Sequence, residues 1–169
     1  MNVVFPKVRS GPITDVPPGT LIRFQRSSGS LLAIVTDQIS GDSRSLVILN
    51  KPTERGPITT FIENWRNPES VLSFVDEPRF EINTNLEKCD PTGRKSWETA
   101  GVLVAIADRI FVRAYHESVF GDYKLIDIQT GSILSGLQYQ DLYSFLTWQI
   151  WIRDPMACLL YTSPSPRDS

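Results

Sequence analysis

Short runs of β-branched and other apolar residues recur along the chain, each followed by residues that favour turns. The first three runs cover residues 21–25, 31–36 and 45–49, and the segments between them, 26–30 and 40–43, are rich in Gly, Ser and Asp. Such short runs are typical of strands joined by hairpin loops, because a helix usually needs about ten or more residues of continuous periodicity. The sequence therefore predicts a three-stranded antiparallel meander over residues 20–50. Residues 31–35 are apolar without alternation, so we expect the middle strand to be covered on both faces.

A second set of short runs covers residues 102–107, 109–115, 123–128 and 131–134. Within the second of these, Ile110, Val112 and Ala114 occupy every second position, which is the period of a strand. A closing strand follows within residues 140–153, where Trp148 and Ile150 alternate with other side chains. We therefore expect one mainly β domain over residues 20–157. Its two short antiparallel meanders, 20–50 and 101–154 with the closing strand, would form a small barrel or a two-sheet sandwich.

Residues 51–100, between the meanders, carry signals for one or two short helices and a long loop. Thr60 and Glu63 have the spacing of a helix capping box, and Asn67 precedes Pro68 as an N-cap residue precedes the first helical position. The apolar residues within 71–75 suit a buried strand equally well, and so short a run does not decide between strand and helix. Residues 76–99 are mostly polar, which predicts a long exposed loop.

The two ends of the chain differ from this central domain. Residues 1–19 include prolines at positions 6, 12, 17 and 18, which favour an extended lead-in over a helix. Residues 158–169 read CLLYTSPSPRDS and resemble, at nearly every position, the conceptual translation of a transposase-type sequencing adapter. We therefore expect this string to be disordered and foreign to the protein, and the sequence to be truncated before its natural C-terminus.

The charge balance and the apolar runs limit the partners and the compartment. The 17 Lys and Arg side chains face 19 Asp and Glu, a net charge of −2, which argues against a protein that binds nucleic acid by broad phosphate neutralisation. No apolar run approaches the roughly 20 residues that cross a bilayer, and the first residues lack the apolar stretch of a signal peptide. We therefore expect a cytoplasmic protein that does not contact a membrane.

The inventory of metal-binding and cofactor-binding residues is small. One His and two Cys cannot build a His-rich metal site or a disulfide framework. The sequence contains no Cys-x-x-Cys pair, no Gly-rich phosphate loop and no calcium-loop motif. It therefore predicts neither a metal site nor a cofactor.

His116 is the one histidine and so the one imidazole that could act as a catalytic base. It follows a predicted strand, and Glu117 and Asp122 are close enough in sequence to orient its ring. A small hydrolase-like enzyme with a site around His116 is therefore one hypothesis. No Gly-x-Ser-x-Gly motif supplies a nucleophile, so a histidine on the surface at a strand end is the simpler interpretation.

Aromatic and basic side chains in the second half of the chain indicate binding. Trp151 lies on one face of the closing strand, and an accessible indole beside Tyr143 and Arg153 has the composition of a protein-binding hot spot. Arg113 and Tyr115 share a face of a predicted strand, which makes a weak single-stranded nucleic-acid binder a further alternative. Because catalytic motifs are lacking, the main prediction is a non-catalytic module that binds another protein. The sequence identifies neither that partner nor the oligomeric state.

Overall fold

The structure, a computed structural model, describes residues 8–26, 29–54, 56–65, 71–74, 78–82, 89–90, 100–119, 122–134, 143–145, 148–152 and 158–162. In these ranges the chain forms fifteen strands, numbered in chain order, and one 3-10 turn, Ile13–Asp15. The strands are β1 Val8–Gly11, β2 Leu21–Arg26, β3 Gly29–Ser40, β4 Ser43–Lys51, β5 Ile58–Trp65, β6 Val71–Phe74, β7 Pro78–Ile82, β8 Cys89–Asp90, β9 Leu103–Ile106, β10 Arg109–His116, β11 Tyr123–Asp127, β12 Ile133–Leu134, β13 Tyr143–Phe145, β14 Trp148–Ile152 and β15 Cys158–Thr162. The predicted mainly β class is confirmed.

The first predicted meander is present, and β5 extends it by one strand. β2, β3 and β4 pair antiparallel in sequence order, with Ile22 opposite Ala33 and Ala33 opposite Ile48. Residues 31–36 of β3 are buried throughout, as their apolar composition predicts. Alternate side chains of this meander enter two different core clusters, one on each face.

The second predicted meander is present too, and β10 joins it to the first. β9, β10, β11 and β12 pair antiparallel in order, while the end of β10 runs parallel to β5 with His116 opposite Phe61. The meanders therefore share one twelve-stranded sheet, whose main path is β1-β6-β2-β3-β4-β5-β10-β9-β13-β8. Within the described ranges β1 and β8, the ends of this path, do not pair with each other. Among the described strands the sheet is therefore open, and of the two predicted arrangements the small barrel is wrong.

A three-stranded sheet, in the order β15-β14-β7, lies against the large sheet. Trp148 and Ile150 of β14 are buried in the same core cluster as Phe61 and Val112 of the large sheet. The predicted closing strand is thus present as β14. The first five residues of the string expected to be disordered form β15, which pairs antiparallel with β14. Their Leu, Tyr and Thr content suits a strand when a neighbouring strand is available for pairing. Its origin in an adapter stays a prediction, and residues 163–169 lie outside the described part.

The predicted helices are replaced by strands wherever this region is described. Thr60 and Glu63 lie in β5, because pairing with β4 on one side and β10 on the other outweighs a local capping signal. Residues 71–74 form β6, and the expected loop at 76–99 contains β7 and β8. Asn67 and Pro68 lie outside the described residues. None of the helical structure in the described ranges has the length and apolar character needed to cross a bilayer.

The lead-in contributes more than the extended segment that its prolines predict. β1 pairs antiparallel with β6, with Val8 opposite Phe74. The 3-10 turn that follows buries Ile13 in the core on one face of the first meander. The Nη2 of Arg44, in β4, donates a 2.8 Å hydrogen bond to the Thr14 carbonyl and anchors this turn to the sheet.

The turn after β11 is hydrogen-bonded to the first meander and packs against the lead-in. The Gly131 carbonyl accepts a 2.9 Å hydrogen bond from the Asp37 N–H, and the Gly19 N–H donates a 2.7 Å bond to the Val35 carbonyl. Gly19 and Gly131 both have positive φ, 83° and 72°, and their backbones lie in close contact. A contact of this kind needs glycine on both sides because a Cβ atom would collide with the facing backbone.

Asp127 holds the shape of this turn. Its Oδ1 accepts hydrogen bonds from the N–H groups of Gln129 and Thr130, at 2.8 and 3.0 Å, and its Oδ2 accepts one from Arg109 Nε at 2.8 Å. Burial alone would raise the pKa of this carboxyl, but the Thr130, Arg109 and Gln129 bonds outweigh burial and lower its pKa below the ordinary 3.8.

Replacing Asp127 with Asn is expected to lower the free energy of unfolding at neutral pH by about 1 kcal/mol, through loss of the charged hydrogen bond to Arg109. Because the folded-state pKa is depressed, the carboxylate stabilises the fold above the ordinary Asp value, and this stabilisation is lost as pH falls through the folded-state pKa. Urea unfolding at pH 7 and at pH 2 measures both effects. A gap between wild type and variant that persists unchanged at pH 2 would contradict this account.

Candidate functional site

His116, the candidate catalytic base, is buried at the end of β10 with 3% of its surface exposed. The parallel pairing of β10 with β5 places it beside Phe61, and the two rings contact edge to face with centroids 5.2 Å apart. The predicted surface position of this histidine is therefore wrong, because β5 covers the strand end that the sequence leaves open.

Both ring nitrogens of His116 are engaged. The Ser118 backbone N–H donates to Nδ1 over 3.2 Å, so in the neutral ring the proton sits on Nε2, where Glu63 Oε1 lies 3.3 Å away. A general base needs a nitrogen lone pair that faces the substrate. Here the Nδ1 lone pair accepts a backbone N–H, and Nε2 faces the Glu63 carboxylate.

Glu117 and Asp122, the predicted partners of His116, direct their carboxylates to lysines. Glu117 pairs with Lys51, and Asp122 Oδ2 lies 3.4 Å from Lys124 Nζ. Asp122 contacts His116 through the backbone, its carbonyl accepting the His116 N–H at 2.9 Å. The carboxylate that does reach the imidazole belongs to Glu63, which sequence reasoning missed, since nothing local to His116 indicates a parallel pairing with β5.

The described residues contain no cluster of three or more His, Cys, Asp or Glu side chains that could hold a metal ion. The candidate catalytic side chains form ion pairs and hydrogen bonds within the region of the β10–β11 turn and from it to β4 and β5.

Two of the predicted binding residues lie inside the large sheet. Arg113 is 2% exposed, and its guanidinium stacks over the Tyr123 ring at 3.9 Å. Tyr115 is half-buried and packs against the same Tyr123 ring, with centroids 5.7 Å apart. Because β9 and β11 flank β10 and its faces are covered, Arg113 does not present its charge to a partner, and the prediction of an open basic face is corrected there.

The other predicted binding residues remain predictions. The backbone of Trp151 belongs to β14 and that of Tyr143 to β13, while their side chains, and Arg153 as a whole, lie outside what the structure describes. The neighbouring Trp148 is 1% exposed, and its Nε1 donates a 2.7 Å hydrogen bond to the Gly101 carbonyl. That tryptophan is therefore a core residue.

The outer strand β1 is a surface that sequence reasoning missed. Among the described strands it pairs with β6 alone, so its other side is an open edge of the sheet. Val8, 47% exposed, and Leu72 of β6, 39% exposed, are diagonal neighbours on one face of this strand pair. Two of the four exposed large apolar side chains of the described chain thus lie side by side; we call Val8–Gly11 with Leu72 the β1 edge.

A groove lies beside the β1 edge, between the strand pair and the segment that leads from β1 to β2. Its volume is about 300 Å³, and its walls are formed by Arg9, Ser10, Gly11, Pro12, Asp15, Val16, Pro17, Thr20, Ser73 and Phe74. One wall is held in place by the Arg44 bond to Thr14 and by the Gly19 bond to Val35. We call it the lead-in groove.

No motif marks this site in the sequence. Its walls come from a proline-rich segment and two short strands, and the pairing of β1 with β6 across about sixty intervening residues leaves no local pattern. Comparison with protein-family models, with curated proteins and with solved structures finds no match to this chain.

Proposed function

We propose that this protein is a non-catalytic interaction module that binds an extended segment of a partner protein along the β1 edge. The observation that supports this most directly is the edge strand β1, unpaired on one side among the described strands, with exposed apolar side chains and a groove beside it. A segment in extended conformation would pair with β1 as a further strand and insert alternate side chains into the groove.

The chemistry of the β1 edge suits strand addition. In a strand the N–H and C=O groups of every second residue point to the same side, so β1 offers unpaired backbone donors and acceptors to an incoming chain. Burying the exposed parts of Val8 and Leu72 adds to this roughly 25 cal/mol for each Å² of apolar surface removed from water. The groove wall is already bonded to the sheet, so little ordering would accompany binding.

A peptide segment fits this edge better than a second copy of the chain. β1 has four residues, which at about 3.4 Å per residue span about 14 Å. Pairing two such strands would bury far less than the roughly 1,200–2,000 Å² typical of stable protein–protein interfaces. A flexible segment can use the groove as well, which a folded second copy reaches less easily.

The alternative functions have less support. A hydrolase centred on His116 lacks a free ring nitrogen, and its predicted acids are paired with lysines. A nucleic-acid-binding surface that includes Arg113 has less support because the Arg113 side chain is buried.

Selection of a random twelve-residue phage-displayed peptide library on the immobilised full chain tests the proposal. We expect enriched peptides with alternating apolar residues, whose synthetic forms bind in fluorescence anisotropy. The double variant V8S/L72S should weaken this binding about tenfold, which corresponds to a loss of about 1.4 kcal/mol in binding free energy. The control Val119→Ser removes a similarly exposed apolar side chain, 48% exposed, in the turn between β10 and β11 and should change nothing.

Backbone methylation of the selected peptide adds a second test. N-methyl groups on alternate residues that face β1 should abolish binding, while those on the remaining residues should be tolerated. No enrichment, or binding that V119S weakens and V8S/L72S does not, would overturn the proposal.

A further inference from the structure

The lead-in groove carries one positive and one negative side chain that face it from different walls. Arg9 projects from β1 on the face that also holds Ser73, its partner in β6, and Asp15 belongs to the 3-10 turn that follows β1. Both are exposed, and no described residue lies within ion-pair distance of either. The two charges therefore remain available to a bound segment.

Several other charged groups of the described chain already have a partner. Lys51 pairs with Glu117, Lys124 with Asp122, and Arg109 with Asp127. Arg44 donates to backbone carbonyls. Among the described residues, unpaired acids such as Asp42 and Asp108 lie on hairpin turns, whereas the lead-in groove is lined by an unpaired arginine and an unpaired aspartate together.

We infer that the segment bound at the β1 edge carries an acidic side chain opposite Arg9 and a basic side chain two residues earlier, near Asp15. This inference rests on the proposed function. In an added strand, the residue opposite Arg9 points to the same face as Arg9, which lines the groove, and directly opposed unlike charges there stabilise the pair. The residue opposite Gly11 points to the same face, because successive side chains alternate.

Gly11 leaves room for the basic side chain. A Cβ atom at Gly11 would meet no heavy atom within 4 Å, so the space above it is open toward the 3-10 turn that carries Asp15. A lysine of the segment can cross this space with its flexible stem and place its ammonium group near the Asp15 carboxylate. Antiparallel pairing, the more stable arrangement, sets the order as basic, any residue, acidic from the N-terminus.

Synthetic peptides that differ at two positions test this order against full-length protein. The four probes share the apolar residues of a selected binder and carry Lys-x-Glu, Glu-x-Lys, Gln-x-Gln or Lys-x-Lys at the groove positions. In fluorescence anisotropy at low salt we expect Lys-x-Glu to bind at least about fivefold more tightly than Glu-x-Lys, which corresponds to about 1 kcal/mol of charge pairing. In 0.5 M salt this difference in affinity should become smaller, because salt screens exposed charges.

The charge swap R9E/D15K should reverse the preference, so that Glu-x-Lys becomes the tighter probe. The control D108K changes an exposed charge in the turn between β9 and β10 and should leave the order of the probes unaltered. Equal binding of Lys-x-Glu and Gln-x-Gln, still weakened by V8S/L72S, overturns this inference and leaves the proposed function standing. It would mean that Arg9 acts as an edge charge that prevents aggregation. Binding of all four probes that V8S/L72S does not weaken overturns the proposed function itself.

Discussion

Replacing Gly131 with alanine is expected to lower the free energy of unfolding by about 3 kcal/mol. This value adds the cost of holding a non-glycine residue in the left-handed backbone conformation to the cost of overpacking the contact. Gly131 has φ +72°, and a Cβ atom there would lie 2.5 Å from the Val35 carbonyl oxygen and 2.7 Å from the Gly19 nitrogen. Those two atoms belong to β3 and the lead-in and are bonded to each other, so neither can withdraw without breaking that hydrogen bond. Urea unfolding followed by circular dichroism measures the change.

Gly41→Ala is the matched control for this prediction. Gly41 lies at the tip of the β3–β4 hairpin with φ +58°, and a Cβ atom there meets nothing within 4 Å. The variant should therefore lose only the conformational part, about 1 kcal/mol. Equal losses in the two variants would show that the contact between the Gly131 turn and the lead-in contributes nothing to stability.

The same contact shows what local sequence patterns predict and what they do not. Each meander is predictable because its strands pair with sequence neighbours through short turns, so alternation and turn residues are sufficient. The approach of Gly131 to Gly19 and the parallel pairing of β5 with β10 join residues far apart in the sequence. Such pairings depend on the shape of the assembled sheet and leave no local pattern.

At the candidate site, Arg113 and His116 show the same limit of prediction from local sequence patterns. Alternation predicts on which face of β10 each side chain lies, but not which faces become covered. The strands flanking β10 and the packing of Tyr123 enclose Arg113, and β5 encloses His116. The pairing of β5 on both edges also explains why the capping-box spacing of Thr60 and Glu63 does not produce a helix.

The β1 edge was not predictable for a different reason. The residues of β1 have no strand pattern of their own, and the prolines beside them favour an irregular segment. They become a strand because β6 presents an edge, and β6 itself was the run that periodicity left undecided. The proposed binding surface therefore depends on two segments, β1 and β6, whose local sequences only weakly favour a strand and which become strands by pairing with each other.

The replacement of Trp148 with alanine is expected to have the largest effect, a loss of about 4 kcal/mol in the free energy of unfolding, which is typical of removing a buried tryptophan. Trp148 is 1% exposed and shares its core cluster with Phe61 and Val112 of the large sheet, although its own strand belongs to the three-stranded sheet. Its ring lies 6.0 Å from the Phe80 centroid, and its Nε1 donates to the Gly101 carbonyl. The side chain thus joins the two sheets by packing and by a hydrogen bond.

Trp148→Phe separates these two contributions and remains informative if the alanine variant does not fold. Phenylalanine keeps most of the apolar contact but leaves the buried Gly101 carbonyl without this donor, which costs about 1–3 kcal/mol. Val119→Ala, at an apolar residue 48% exposed, is the control and should change stability by less than about 0.5 kcal/mol. If Trp148→Ala proved no more destabilising than Val119→Ala, the three-stranded sheet would not pack on the large sheet, and the shared core would have to be abandoned.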